Sequence, residues 1–276
     1  MKDNWKPILK SIIPPILLDN MRFRSKYGWF GDYSSWEDAQ KDSVGYDSEL
    51  IFEKVKNSLL KVKNGEAVYE RDSVLFDKID YSWPLLASLL WIAAQKGNCL
   101  NIIDFGGSLG STYFQNRKFL SAVRKLRWNI VEQDNFVNCG EKYFEDDMLK
   151  FYYDIGSCMK ETNPSTILFS SSIQYTEKPY DLLANILKNK FEYIIFDLTG
   201  FISNGSRDRL TIQKVPPSIY EATYPCWFLN KEKFLSIFKN NYSLVEEFEG
   251  YLGQDIKIDN RIDAKYLGFI FETLVK

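Results

Sequence analysis

The run Asp104-Phe105-Gly106-Gly107-Ser108-Leu109-Gly110 sets a carboxylate directly before a glycine loop. The next apolar run, Trp128-Asn129-Ile130-Val131, ends in a second carboxylate, Glu132. Glycine lets a ligand come close to the backbone. A helix starting behind the loop offers N–H groups with no intrahelical acceptor. In nicotinamide-binding folds the fingerprint is G-x-G-x-x-G with an acid about 20 residues further on. Here Asp104 stands in front of the glycines, where a carboxylate meets an ammonium directly or through water. That order suits S-adenosylmethionine, whose amino-acid end carries an ammonium and which has no pyrophosphate to cradle. Glu132 then offers two adjacent oxygens to the two ribose hydroxyls. Singly, each acid reads equally well as a strand-end cap. The pair, at successive strand ends beside Gly106, Gly107 and Gly110, favours a cofactor site.

Methyl transfer from a sulfonium is an in-line displacement, in which the protein mainly aligns the nucleophile and excludes water. A hydroxyl acceptor needs a base, and the chain has no histidine. Asp197, at the end of the apolar run Phe191–Asp197, is the catalytic candidate. An acceptor that is already anionic needs no base, and the absence of histidine shifts weight toward one. Arg207 and Arg209, in a polar stretch beyond that run, are then the candidates to grip a phosphate or carboxylate; a solvated turn is the other reading. Asp154 closes a further apolar run and is placed to meet the adenine amino group or simply to cap a helix. Ser170, with the cofactor, and Gln174 and Tyr175, with the acceptor, follow the run Thr166–Ser170, where a loop with local serine hydrogen bonds is the plainer alternative. No metal-ligand set is present in the sequence.

The elements that must position these residues fall into two parts. Residues 1–97 show few runs that read as strands and are predicted to be a mostly helical N-terminal cap. Tyr27–Tyr33 is a glycine- and aromatic-rich loop in this reading, and Ser34 with Glu37 makes a capping box. The periodicity of Ile51, Phe52, Val55, Leu59 and Leu60 predicts a helix over 48–63. A buried helix spans 80–96, with Pro84 in its first turn. The cap is placed to close over the site, bringing Tyr33, Tyr46 or Asp47 near substrate. From 98 to 276 strands and helices alternate, which implies a parallel sheet with crossovers. Five helix-linked strands precede a long loop over 198–229, a last helix and a terminal pair of strands. Seven strands with an antiparallel edge match the methyltransferase version of the doubly wound α/β sheet better than the six-stranded dinucleotide fold.

Composition narrows the function classes. A formal charge of −2 leaves no basic field to attract nucleic acid. Aromatics at 16% read first as bulky core filling. The spacing of Cys99, Cys139, Cys158 and Cys226 suggests neither a zinc site nor a redox pair; reduced thiols in the cytoplasm are expected. No run reaches transmembrane length. Met1–Leu18 has the lysines and apolar residues of a leader, yet Pro14 and Pro15 break it and no cleavage site follows. Residues 5–18 are expected to pack on the body or a partner, with peripheral membrane contact as the alternative.

Asp104–Gly110 with Trp128–Gln133 closely resembles a family of class I S-adenosylmethionine-dependent methyltransferases found in bacterial surface-polysaccharide gene clusters. Trp36–Ala39 with Gly45–Asp47, Ser172–Tyr175, Arg209–Pro216 and Tyr224–Trp227 carry the resemblance outside the glycine motif, from about residue 30 onward. Asp197-Leu198-Thr199-Gly200 departs from it, standing where an Arg/Pro-rich stretch is expected. The resemblance implies O-methylation of a small-molecule or glycan acceptor, a saccharide or a saccharide-linked phosphoryl or carboxyl group, in surface-polysaccharide biosynthesis. A catalytically inactive cofactor-binding or regulatory module is the competing class; a nicotinamide-dependent oxidoreductase ranks below it, and a structural protein last. The sequence leaves the methyl acceptor and the oligomeric state open.

Overall fold

The computed structural model describes residues 26–43, 49–204, 207–250 and 256–274. In chain order the first elements are β1 (Gly28–Tyr33), α1 (Trp36–Lys41), α2 (Glu49–Lys63), the hairpin β2 (Tyr69–Arg71) and β3 (Val74–Phe76), and α3 (Trp83–Gln95). The alternating part follows: β4 (Cys99–Phe105), α4 (Ser111–Leu120), β5 (Lys125–Val131), α5 (Asp134–Tyr143), β6 (Leu149–Tyr152), α6 (Ile155–Thr162) and β7 (Thr166–Ser170). A short 3-10 turn (Ile173–Tyr175) leads to α7 (Pro179–Lys188) and β8 (Tyr193–Ile202). The chain ends with β9 (Arg209–Val215), β10 (Ala222–Phe228), α8 (Lys231–Ser236), β11 (Tyr242–Glu249), β12 (Ile256–Ile258) and β13 (Ile262–Thr273). Among the described residues no helix is long and apolar enough to cross a membrane.

One sheet of eleven strands organises the molecule, in the order β10-β9-β1-β12-β13-β8-β7-β4-β5-β6, with β11 paired to β13. Strands β4 to β8 run parallel. β13 lies antiparallel to β8, and β11 antiparallel to β13. Ranked by chain position, β6-β5-β4-β7-β8-β13-β11 is the order 3-2-1-4-5-7-6, a doubly wound core with an antiparallel edge. The seven expected strands are therefore present as the core, and β12, β1, β9 and β10 add four more on the β13 side.

The strands of the core alternate faces as pleating requires. Ile102, Ile130, Leu168 and Ile195 pack under α2 to α5. Ile103, Val131, Ile167 and Phe196 pack under α6 to α8. Most of the largest fully buried side chains are phenylalanines, with Phe169 and Phe196 stacked at 5.0 Å and Phe238 and Phe271 at 4.2 Å. Core filling thus accounts for much of the aromatic content, each buried ring contributing roughly 1.5–3 kcal/mol. All four cysteines are free thiols.

Three local expectations are corrected. The glycine-rich stretch before Tyr33 is strand β1, parallel to β12 at Trp29↔Ile258 and antiparallel to β9; its glycines hide the alternation that marks a strand. The cap of α1 is Ser35, which accepts from the Asp38 amide at 3.1 Å, and Ser34 instead donates to the Asp38 carboxylate. The segment 198–229 contains the end of β8 and the whole of β9 and β10.

That last correction has a specific cause. Thr199 pairs with Leu267 and Phe196 with Phe269, so Asp197 and Leu198 together stand opposite Gly268. This is a β-bulge, with Leu198 in the left-handed region at φ 50. Ser171 N–H donates to the Asp197 carbonyl at 2.9 Å and Gln174 Nε2 to the Leu198 carbonyl at 3.0 Å. Pinned there, β8 turns its two consecutive residues toward one cavity and then continues to Ile202.

Candidate active site

The cavity opens at the carboxyl ends of β4, β5 and β7, where β5 and β7 leave β4 on opposite sides. It encloses about 780 Å³, within the range of sites for small ligands. Its floor is the loop after β4, with Glu132 on one flank and Ser170, Asp197 and Leu198 on the other. The β2–β3 hairpin forms one wall, and Tyr175, Tyr220, Tyr224 and Tyr266 form another. Five lining carboxylates, on Glu70, Asp72, Glu132, Asp134 and Asp197, face one lining guanidinium, Arg71. Arg71 itself bonds Asp80 at 3.3 Å.

The loop has no room for side chains at its first two glycines. A Cβ on Gly106 would lie 2.7 Å from Ser172 Cβ, and one on Gly107 2.6 Å from Asp104 Cγ. Gly110 caps α4 in the left-handed conformation and faces Ile130 and Leu149 under the loop, away from the cavity lining. Asp104 is fully buried beneath Gly107. Its Oδ2 accepts from Trp128 Nε1 at 3.0 Å, and its Oδ1 has no protein partner. Burial pushes its carboxyl up to about 7, against the Trp128 bond, with Glu132 pushing the same way. The motif's acid thus sits under the loop rather than on the cavity wall. Gly107→Ala is expected to lower stability by about 1–3 kcal/mol, the usual range for overpacking. A thermal melt within a degree of wild type would show that the loop lifts off Asp104 freely.

Glu132 is half-buried at the end of β5. Its Oε1 accepts from Ser108 N–H at 3.2 Å and its Oε2 from Gln133 N–H at 2.7 Å. Burial raises its carboxyl above the usual range, and the two amide bonds oppose the shift. Asp197 is buried, with Oδ1 accepting from Ser82 Oγ at 3.3 Å and Oδ2 from Ser170 Oγ at 3.2 Å. Burial pushes it up to about 6 despite those bonds. Glu70, on β2, accepts from Ser111 Oγ and from Ser73 N–H at 3.1 Å. Burial pushes it up to about 7.

These shifts carry a stability consequence. Carboxylates in the unfolded chain titrate near 4, so between about pH 4 and about pH 7 the folded state binds the extra protons at Glu70, Asp104 and Asp197. Stability from these groups is full below the unfolded value and is lost as pH rises through the folded value. Glu70→Gln removes one such group. Its melting temperature relative to wild type is therefore expected to climb from about pH 5 to about pH 7.5. A difference that shrinks over that window would contradict the burial of an ionisable Glu70.

The remaining sequence candidates divide. Gly106, Gly107, Glu132, Ser170, Asp197 and Tyr175 line the cavity, with Tyr175 OH donating to Gln213 Oε1 at 2.8 Å. Asp154 is exposed and caps α6, accepting from Ser157 N–H at 2.8 Å, because its run ends where a helix begins. Gln174 is wholly buried and holds the β8 bulge. Arg207 pairs with Asp32, outside the cavity. Arg209 donates to the Gly31 carbonyl at 2.9 Å and to Asp259 Oδ2 at 2.7 Å, tying β9 to β1 and to the β12–β13 turn. Neither arginine is available to an anion in the site. Tyr33 bonds Asp42 at 3.0 Å, away from the cavity. Tyr46 and Asp47, like the segment 5–18, lie outside the described residues.

Glu70 and the tyrosines of β10 and β13 escaped the sequence reading. The signal for Glu70 was short: Tyr69-Glu70-Arg71 and Val74-Leu75-Phe76 around Asp72-Ser73, both of which have positive φ. That is the backbone of a tight primed hairpin turn, in which Asp is favoured.

No family model matches the chain, and no curated protein matches it in sequence. Among solved structures, the N-terminal domain of EvdMO1, crystallised in the presence of SAH and D-fucose, is similar at 10% identity and a TM-score of 0.46, covering 79% of this chain and 97% of that one. The glycopeptide N-methyltransferase MtfA, complexed with S-adenosyl-L-methionine, is similar at 9% identity and 0.45, over 69% and 94%. PH0226 from Pyrococcus horikoshii OT3 is similar at 10% identity and 0.44, over 71% and 93%.

Proposed function

We propose that the chain is an S-adenosylmethionine-dependent methyltransferase that O-methylates a saccharide hydroxyl, in keeping with its resemblance to enzymes of surface-glycan clusters. The observation that carries this reading is Glu132, lining the cavity beside the Ser108 amide of a loop whose glycines pack directly on Ser172 and Asp104. A diol-binding carboxylate at that strand end, a close backbone and an excess of lining carboxylates suit a ligand bearing a ribose, a sulfonium and an ammonium. When bound, the cofactor supplies an electrophilic methyl group. Glu132 would hold its ribose, and Gly106 and Gly107, seated on Ser172 and Asp104, would keep the loop backbone low along the cavity floor. Asp197 would take the acceptor's proton as the oxygen–carbon bond forms and the sulfur–carbon bond breaks, and the tyrosine wall, in which Tyr220 and Tyr224 are buried, would exclude water. With Arg207 and Arg209 engaged elsewhere and Arg71 bonded to Asp80, an anionic acceptor would face mostly carboxylates among the described lining residues, and the neutral hydroxyl is favoured.

Calorimetry of the wild-type protein with S-adenosylhomocysteine tests the reading at its base. Saturable 1:1 binding is expected, followed by transfer of labelled methyl groups to a glycan fraction. Absence of binding would overturn it; binding without transfer to any hydroxyl-bearing fraction would favour the inactive module.

A further inference from the structure

The amino-acid end of the proposed donor calls for a carboxylate, and the glycine motif nominates Asp104. Asp104 is fully buried, Gly107 rests on it, and one of its oxygens is taken by the Trp128 indole. Glu70 is also buried, at 3% exposure, and what sets it apart is that it reaches the cavity lining while Asp104 does not. Glu70 comes from the wall facing the loop, and its two oxygens accept from Ser111 Oγ and Ser73 N–H, donors that fix the carboxylate while leaving lone pairs on both oxygens. Ser111 is the first residue of α4, directly behind the loop. Glu132 is tied to Ser108 at the middle of that loop and Glu70 to Ser111 at its end. The two cavity-lining carboxylates therefore flank a single backbone segment. A ligand with its ribose on Glu132 runs along that segment toward Glu70.

We propose that Glu70, oriented by Ser111, receives the α-ammonium of the donor, and that Asp104 supports the loop from below. The assignment rests on the adenosylmethionine reading. It gives the β2–β3 hairpin a direct part in cofactor recognition, and the zwitterionic end of the ligand would also find the unpaired N–H groups of the first turn of α4 beside Glu70.

The test is calorimetry with two ligands, S-adenosylhomocysteine and 5′-methylthioadenosine, which keeps the nucleoside and lacks the amino-acid end. Glu70→Gln is expected to weaken the first by at least about tenfold, as loss of a charge-assisted bond does, and the second by less than about twofold. Ser111→Ala, which retains the carboxylate but frees it, is expected to shift the same ligand in the same direction by a smaller factor and serves if Glu70→Gln does not fold. Equal losses for both ligands would mean that Glu70 only shapes the loop, and an unchanged S-adenosylhomocysteine affinity would mean that it does not touch the ligand; either overturns the proposal. A wild type that binds neither ligand overturns the cofactor reading itself, and the two failures are thereby distinguished.

Discussion

Glu132→Ala is expected to weaken S-adenosylhomocysteine binding by about 10- to 150-fold, or roughly 1.5–3 kcal/mol, the range for hydrogen bonds to a charged group. The variant removes both acceptors for the ribose hydroxyls together. It also frees the Ser108 and Gln133 amides that the carboxylate now binds at 3.2 and 2.7 Å. Those amides are backbone and remain in place, so the fold has little reason to change: Glu132 follows β5 and is half-buried, outside the layers of apolar packing. The melting temperature without ligand is expected to stay within a few degrees of wild type. Glu132→Gln separates charge from shape, since one carbonyl oxygen survives to accept from one hydroxyl, and its loss should fall between wild type and alanine. Affinity within twofold of wild type in the alanine variant would remove the ribose assignment, and with it the reason for choosing this class of cofactor.

The reading of Glu132 was available in the sequence because it depends on local order alone. An apolar run long enough for one buried strand ends in an acid, and the chain then turns into a helix. The same logic located Asp104 and then misjudged its exposure. Whether a strand-end carboxylate stands open or sealed depends on how the following loop folds back, and Gly107 folds directly onto it. Local order also failed for the sheet extension. Pro225 lies within β10 and argues against a strand, but β10 is the outermost strand, where a missing N–H costs no ladder bond. Arg209 opens β9 and Arg207 lies just before it, in a stretch that the sequence presents as a polar loop, and the partners that draw them away, Asp32 and Asp259, are distant in sequence. Long-range pairing of this kind leaves no periodic trace.

The bulge in β8 belongs with these. A left-handed leucine has no sequence signature, because the region favours glycine and asparagine. Leu198 is held in it by bonds from the loop after β7 to the Asp197 and Leu198 carbonyls. Without the bulge, pleating would turn Asp197 and Leu198 to opposite faces. With it, both line the cavity, and Asp197 is aimed where an acceptor hydroxyl would stand if Ser170 faces the transferable methyl.

Asp197→Asn is accordingly expected to lower kcat by about 10²- to 10⁴-fold, the contribution typical of a positioned general base, with S-adenosylhomocysteine affinity nearly unchanged. The pH profile makes this more than a loss-of-function test. A base works in its ionised form, so wild-type kcat should rise with pH and level off above the carboxyl's value, which burial places at about 6. In the asparagine variant the limb should vanish. Ser170→Ala removes a hydrogen bond that favours the ionised form, and the limb should therefore move to higher pH with the plateau largely kept. An inflection nearer 7 that survives Asp197→Asn would transfer the role to Glu70, whose carboxyl is pushed up to about 7 in the same cavity. A flat profile in wild type would mean that no group of the protein takes the proton. The acceptor would then have to be ionised already, and the cavity's excess of carboxylates over its single lining arginine makes that the outcome its electrostatics oppose.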